Sequence, residues 1–253
     1  MTKYSTLVVL ALIAFVSFSH GQKLDLYANL GYGIGMGGML ETSVTSNNAT
    51  ITKIEDKYFN YGQGIKLEGG ANIYIAEKLP IQAGLIFSFG VPGFNTESST
   101  TLLGITTTDE TEWNFSTFGV KALIAPRFEI LELLDMYAGV GMGLYFGSLN
   151  YKTTETSVGT FTENGSYKSA PSIAFLGSLG ADFPIADMIS LFGEIGFEQM
   201  AFVWTKQIIE KTTIRNHSPQ TIIYEKNATN LPAPVKVPGA NWQLRAGIRF
   251  SIL

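Results

Sequence analysis

The sequence predicts an all-β chain: an eight-stranded antiparallel up-and-down transmembrane β-barrel with short periplasmic turns and long extracellular loops. Three observations predict it. The N-terminus reads as an export signal, eight later segments alternate apolar and polar residues with a period of two, and the connections between them alternate long and short.

The opening stretch, MTKYSTLVVLALIAFVSFSHG, sets Lys3 ahead of an apolar run at residues 7–16, with small Ser19 and Gly21 flanking His20. That is the layout of a secretory signal cut after Gly21. The run is too short to span a bilayer comfortably as a helix, and no stop-transfer charges follow it. Residues 1–21 are therefore expected to be a signal peptide, and residues 22–253 a single barrel domain. The chain has no cysteine, which excludes an acylated lipoprotein anchor and a disulfide framework. Loss of Lys3 with the signal takes the formal net charge from −4 to −5, and nothing in that balance attracts nucleic acid.

Residues 24–36 place Leu24, Leu26, Ala28, Leu30, Tyr32, Ile34 and Met36 on one face and Asp25, Tyr27, Asn29 and three glycines on the other. As a helix, each of those glycines would cost about 1 kcal/mol; in a narrow barrel they leave room for crowded inward side chains. The same alternation recurs at residues 59–75, 80–90, 115–127, 136–146, 173–183, 189–197 and 241–253. It is broken by Ile86 in the third segment and blurred by Leu123 and Ala125 in the fourth. Residues 76–79, 128–134 and 184–188 make short connections, and residues 40–58, 91–112, 147–171 and 205–239 long, polar ones. Within the last, TKQIIEKTTIR and TIIYEK read either as strand extensions above the membrane or as two further strands, making ten. Tyr58, Phe59, Tyr61, Phe87, Phe89, Trp113, Phe115, Phe146, Phe202, Trp204 and Trp242 gather where strands meet the long loops, as a ring at headgroup level does.

A soluble sandwich explains alternation equally well, but it has difficulty with charges at mid-strand. Asp25, Lys66, Glu68, Lys121, Asp182, Glu194, Glu198, Arg245 and Arg249 all fall on the polar parity. Inside a barrel they would meet one another. With aligned periplasmic ends, Glu194 is expected diagonally between Arg245 and Arg249, and Asp25 towards Arg249. A charge in such an interior is costly unless paired or hydrated, and eight strands leave space only for side chains. A salt-bridged plug is the expectation, and a narrow polar conduit the alternative.

The last segment, NWQLRAGIRFSIL, carries the most specific resemblance. Trp242, Leu244, Ala246, Ile248 and Phe250 resemble the C-terminal strand of the bacterial outer-membrane β-barrel superfamily, the small OmpA-like and OmpW-like porin-family barrels, and the likeness extends over residues 22–253. The departure is at the end, where Ile252 and Leu253 follow the aromatic. The resemblance implies the outer membrane of a Gram-negative bacterium, outer-membrane lipids and lipopolysaccharide as surroundings, and handling by periplasmic chaperones and the barrel-assembly machinery. It implies no single activity, since such barrels serve as anchors, small-solute channels, adhesins and lipid-modifying enzymes.

Chemistry finds little to use. The only histidine after the signal is His217, in the longest loop, whereas a hydrolytic triad needs histidine beside serine and carboxylate on rigid strands. One histidine and no cysteine leave no zinc or copper cluster, and Asp109, Glu110 and Glu112 read as a solvated acidic loop. The expectation is a non-enzymatic barrel without cofactor or metal, serving envelope structure or surface contact. Other readings are a narrow porin-like channel for small solutes, a lipid-active enzyme built on His217, and a soluble exported ligand-binding β-protein.

Overall fold

The computed structural model describes residues 24–47, 50–76, 79–89, 94–131, 134–214, 217–224 and 235–252. The expected signal peptide lies outside them. Among these described residues, sixteen strands follow in chain order: β1 Leu24–Gly35, β2 Met39–Asn47, β3 Thr50–Phe59, β4 Gly64–Ala76, β5 Leu79–Phe89, β6 Phe94–Leu102, β7 Ile105–Ile124, β8 Arg127–Leu131, β9 Leu134–Thr156, β10 Thr160–Ser169, β11 Ser172–Ala186, β12 Ile189–Gln199, β13 Ala201–Thr212, β14 Gln220–Ile223, β15 Lys236–Pro238 and β16 Asn241–Ile252.

Eight of these close a barrel. Each neighbouring pair in the cycle β1-β4-β5-β7-β9-β11-β12-β16 is antiparallel, and β16 returns to β1 in register from Leu24↔Ile252 to Gly35↔Asn241. Closure removes every unpaired edge at membrane depth, where an unsatisfied backbone group has no water to turn to. The eight alternating segments of the sequence are these eight strands, so the barrel has eight staves and not ten. TKQIIEKTTIR falls mainly in β13, and TII opens into β14, pairing as a hairpin outside the barrel.

The wall is inverted relative to a soluble fold. Leu26, Leu30, Ile34, Leu67, Leu85, Val140, Met142, Ile173, Phe175, Leu179, Ile195 and Leu244 point outward and are exposed, while Lys66, Glu68, Lys121, Glu194, Glu198, Arg245 and Arg249 point inward and are buried. Only hydrocarbon accommodates that surface. The exceptions in the pattern have a place: Ile86, Leu123 and Ala125 turn inward, and with Ala174 and Leu176 they make one side of the interior apolar.

Among the described residues, the long connections are mostly strand. A tilted spanning strand needs about ten residues, yet β7 has 20 and β9 has 23. Both run on beyond the bilayer, paired from Ile124↔Val140 to Thr108↔Thr156. There β6 replaces β5 beside β7, and β10 replaces β11 beside β9. The result is an outer sheet in the order β3-β2-β6-β7-β9-β10-β13-β14, with β2 and β6 parallel.

Candidate functional site

The lumen is built in tiers. At the periplasmic end, Arg249 of β16 pairs with Asp182 of β11, and Arg127 of β8 reaches Asp182 at 3.2 Å and Asp25 of β1 at 3.7 Å. The Tyr74 hydroxyl donates to the same Asp25 oxygen at 2.5 Å. Both guanidiniums lie over aromatic faces, Arg249 at 4.9 Å from the Phe192 centroid and Arg127 at 5.4 Å from that of Tyr74. Two arginines and two aspartates balance.

The middle tier centres on Arg245. Its guanidinium meets Glu194 at 2.5 Å, Glu68 at 3.4 Å and Glu198 at 3.5 Å, and its Nε donates to Gln243. Lys121 pairs with Glu68 at 2.5 Å, and Lys66 with Glu198 at 2.7 Å. Tyrosine hydroxyls complete the carboxylates: Tyr27 donates to Glu68 at 2.7 Å, Tyr137 to Glu194 at 3.0 Å and Tyr145 to Glu198 at 2.9 Å. Three cations again face three carboxylates. Tyr145 can lie flat across the wall because its neighbours are glycines; a methyl group at Gly119 or Gly143 would come within 2.6 Å of its ring.

Above this tier the barrel is capped by Tyr61, Phe115, Leu149, Met200, Phe202, Trp204 and Val237, packed as one buried cluster. Tyr61 packs on Phe202 with ring centroids 4.7 Å apart, and the Trp204 indole donates to the Tyr61 hydroxyl at 3.1 Å. Buried Asn60 ties the rim together, donating to the carbonyls of Met36, Gly37 and Ala240 while accepting from the Gly62 amide.

All nine charged residues expected in the interior are buried there, but their partners differ from expectation. Glu194 stands directly opposite Arg245, while Arg249 is opposite Ser190 and pairs with Asp182. Asp25 goes to Arg127 and Tyr74. Arg127 is absent from the sequence-based set, although it closes the fourth segment on the same parity as Thr117, Gly119 and Lys121. The aromatic ring also needs correction. Phe87, Phe118 and Phe146 do form an outward girdle, but Tyr61, Phe115, Phe202 and Trp204 have inward parity and make the cap. Phe59 and Phe89 have side chains outside the described ones. On β16, Trp242, Leu244 and Phe250 are exposed outward, with Ala246 and Ile248 on the same face.

His217 has a partner that the sequence does not reveal. Its Nδ1 lies 2.9 Å from buried Glu163 of β10, which also accepts from the Tyr151 hydroxyl at 3.0 Å. Gln207 donates to Tyr151 and accepts from Tyr224, so one line of hydrogen bonds crosses the outer sheet. Burial pushes the Tyr151 phenol up to about 12.

No protein-family profile and no curated protein matches this chain by sequence. By structure, it is similar to a major outer membrane protein from Thermus thermophilus, with a TM-score of 0.51 and 15% identity over 92% of this chain and 100% of that one. The chain has the outer-membrane β-barrel fold. Neisserial surface protein A is similar at TM-score 0.42 and 11% identity over 92% of this barrel and 97% of its own chain. Ail, the attachment invasion locus protein of Yersinia pestis, is similar at 0.34 and 12% over 90% and 99%. The fold and the exposed apolar belt together place this barrel in the outer membrane.

Proposed function

We propose that the protein is a non-enzymatic, non-conducting outer-membrane barrel whose outer sheet serves surface contact. The observation that carries this reading is the filled lumen: two charge-balanced tiers below a buried aromatic cap. Hydrated ions crossing it would have to part the Arg245 cluster and displace Tyr61 and Phe202. The outer sheet supports the contact role, since its strands rise above the bilayer and, among the described residues, end in open edges at β3 and β14. Ile51, Ile54 and Tyr58 of β3 stand exposed there. The reading includes outer-membrane lipids as surroundings, the outward face of β16 as the assembly signal, and no catalytic role or cofactor.

A narrow conduit is the second reading. Among the described residues, Asn29 Oδ1, Gln82 Oε1 and Ser178 Oγ face the interior without a protein hydrogen bond, as atoms of a hydrated passage would. Planar-bilayer recording on the folded protein separates the two. The plug gives no steady wild-type current, with openings after Tyr61→Ala combined with Phe202→Ala. A stable, ion-selective wild-type conductance would overturn it in favour of the conduit.

A further inference from the structure

Just above the aromatic girdle, one row of the outer sheet is built against electrostatic sense. It runs Ser116, Ser148, Lys168, Lys206, Ile223 across β7, β9, β10, β13 and β14. Lys168 and Lys206 are thus directly opposite on adjacent strands, and they share the outward face: their neighbours Tyr167 and Gln207 turn to the Tyr151 side, and the bulge before Lys206 takes it off the inward face of Trp204. Lys236 of β15 adds a third cation on that side, opposite outward Val203 of β13. Like charges facing each other across a ladder destabilise it.

Among the described residues, no carboxylate stands in that row. None stands in the row above it, which runs Asn114, Asn150, Ser166, Ile208, Thr221. The lysine of β9 is treated differently, since Lys152 lies opposite Glu112. Lys168 donates to Ser148 Oγ at 2.8 Å, a neutral partner, and among the described residues no carboxylate pairs with it.

Position says where the compensation comes from. Ser148 follows lipid-facing Phe146 by two residues on the same face of β9, and Phe146 stacks on Phe118 in the girdle. Two residues of strand rise about 7 Å. The lysines therefore project sideways from the barrel into the headgroup layer of the outer leaflet, where a soluble polyanion would have to push between lipids. We infer that Lys168, Lys206 and Lys236 bind the phosphate of a phosphorylated lipid headgroup in the outer leaflet, an inference that rests on the outer-membrane placement.

The test uses folded full-length protein in phosphatidylcholine nanodiscs, titrated with diphosphoryl lipid A and read by native mass spectrometry. Lys168→Gln, Lys206→Gln and Lys236→Gln together should weaken lipid A binding roughly a hundredfold, at about 1 kcal/mol per interfacial cation. The corresponding triple arginine variant should keep it, and Lys152→Gln should leave it unchanged. Lipid A stripped of both phosphates should bind wild type as weakly as the glutamine variant binds the phosphorylated form. Equal binding by wild type and the glutamine variant overturns the site, as does equal binding of the stripped lipid. Dextran sulfate binding that depends on these lysines, with lipid A unaffected, also overturns it and gives the patch to soluble polyanions. Heat-modifiable migration confirms that each variant is folded. Failure of the membrane placement itself would show separately, as native protein in a salt-washed soluble fraction.

Discussion

Removing the Arg245 guanidinium would leave Glu68, Glu194 and Glu198 around a closed interior with only Lys66 and Lys121 to balance them. Breaking one buried pair costs about 3–5 kcal/mol. Arg245→Ala should therefore destabilise the barrel in lipid vesicles by at least that range and by more than Arg249→Ala, whose loss frees Asp182 beside Arg127. Contacting residues couple by about 0.5–3 kcal/mol, distant ones hardly at all. A double-mutant cycle by urea unfolding should show coupling between Glu194 and Arg245, with near-additive losses for Glu194 and Arg249. Strong coupling in the second pair and none in the first would refute the observed register. The inward direction of these residues was legible in the sequence, because parity alone fixes it. Their pairing was not, since it depends on the stagger between strands, and a slip of a few residues exchanges Arg249 for Arg245 opposite Glu194.

Among elements, the barrel staves were readable and the outer strands were not. A stave must be apolar towards lipid and polar or small towards the lumen, which writes a clean period of two. Above the bilayer that demand relaxes, so β2, β3, β6 and β10 carry Thr, Ser and charges on both faces and read as polar loops. Their threonines hinted at strand, a weak signal without alternation. The β6–β7 hairpin shows how local chemistry is bent to such a sheet. Its turn is Leu103–Gly104, and both residues have positive φ, 50° and 79°. Glycine tolerates this, whereas a leucine there is strained by roughly 1–2 kcal/mol. Asparagine suits the first position of a two-residue hairpin turn. Leu103→Asn should slow amide exchange across β6 and the facing part of β7 without altering the barrel, and faster exchange would argue against this turn.

The whole molecule is stabilised by being inside out. Leu244 is exposed on the outer face of β16 and should lie near mid-bilayer, between Trp242 and Phe250 of the same strand. Arginine at such a depth costs about 2–4 kcal/mol, so Leu244→Arg should impair folding into vesicles by that amount. Val158→Arg, at the exposed tip between β9 and β10, should change it little. Equal penalties at both positions would contradict the membrane belt.

The sequence alone determined that the chain is a β-barrel, with eight or ten staves, which stave residues face lipid and which face the lumen, and that the lumen holds opposite charges in near balance. These follow from period and parity, which are local properties of a strand. Only the tertiary structure decided that Arg127 joins the periplasmic tier, that Tyr61, Phe115, Phe202 and Trp204 cap the lumen instead of ringing the membrane, that His217 meets Glu163, and that Lys168 faces Lys206. Each of these is a meeting across the barrel or between strands far apart in the chain. Such meetings are set by register and closure, and no single segment encodes either.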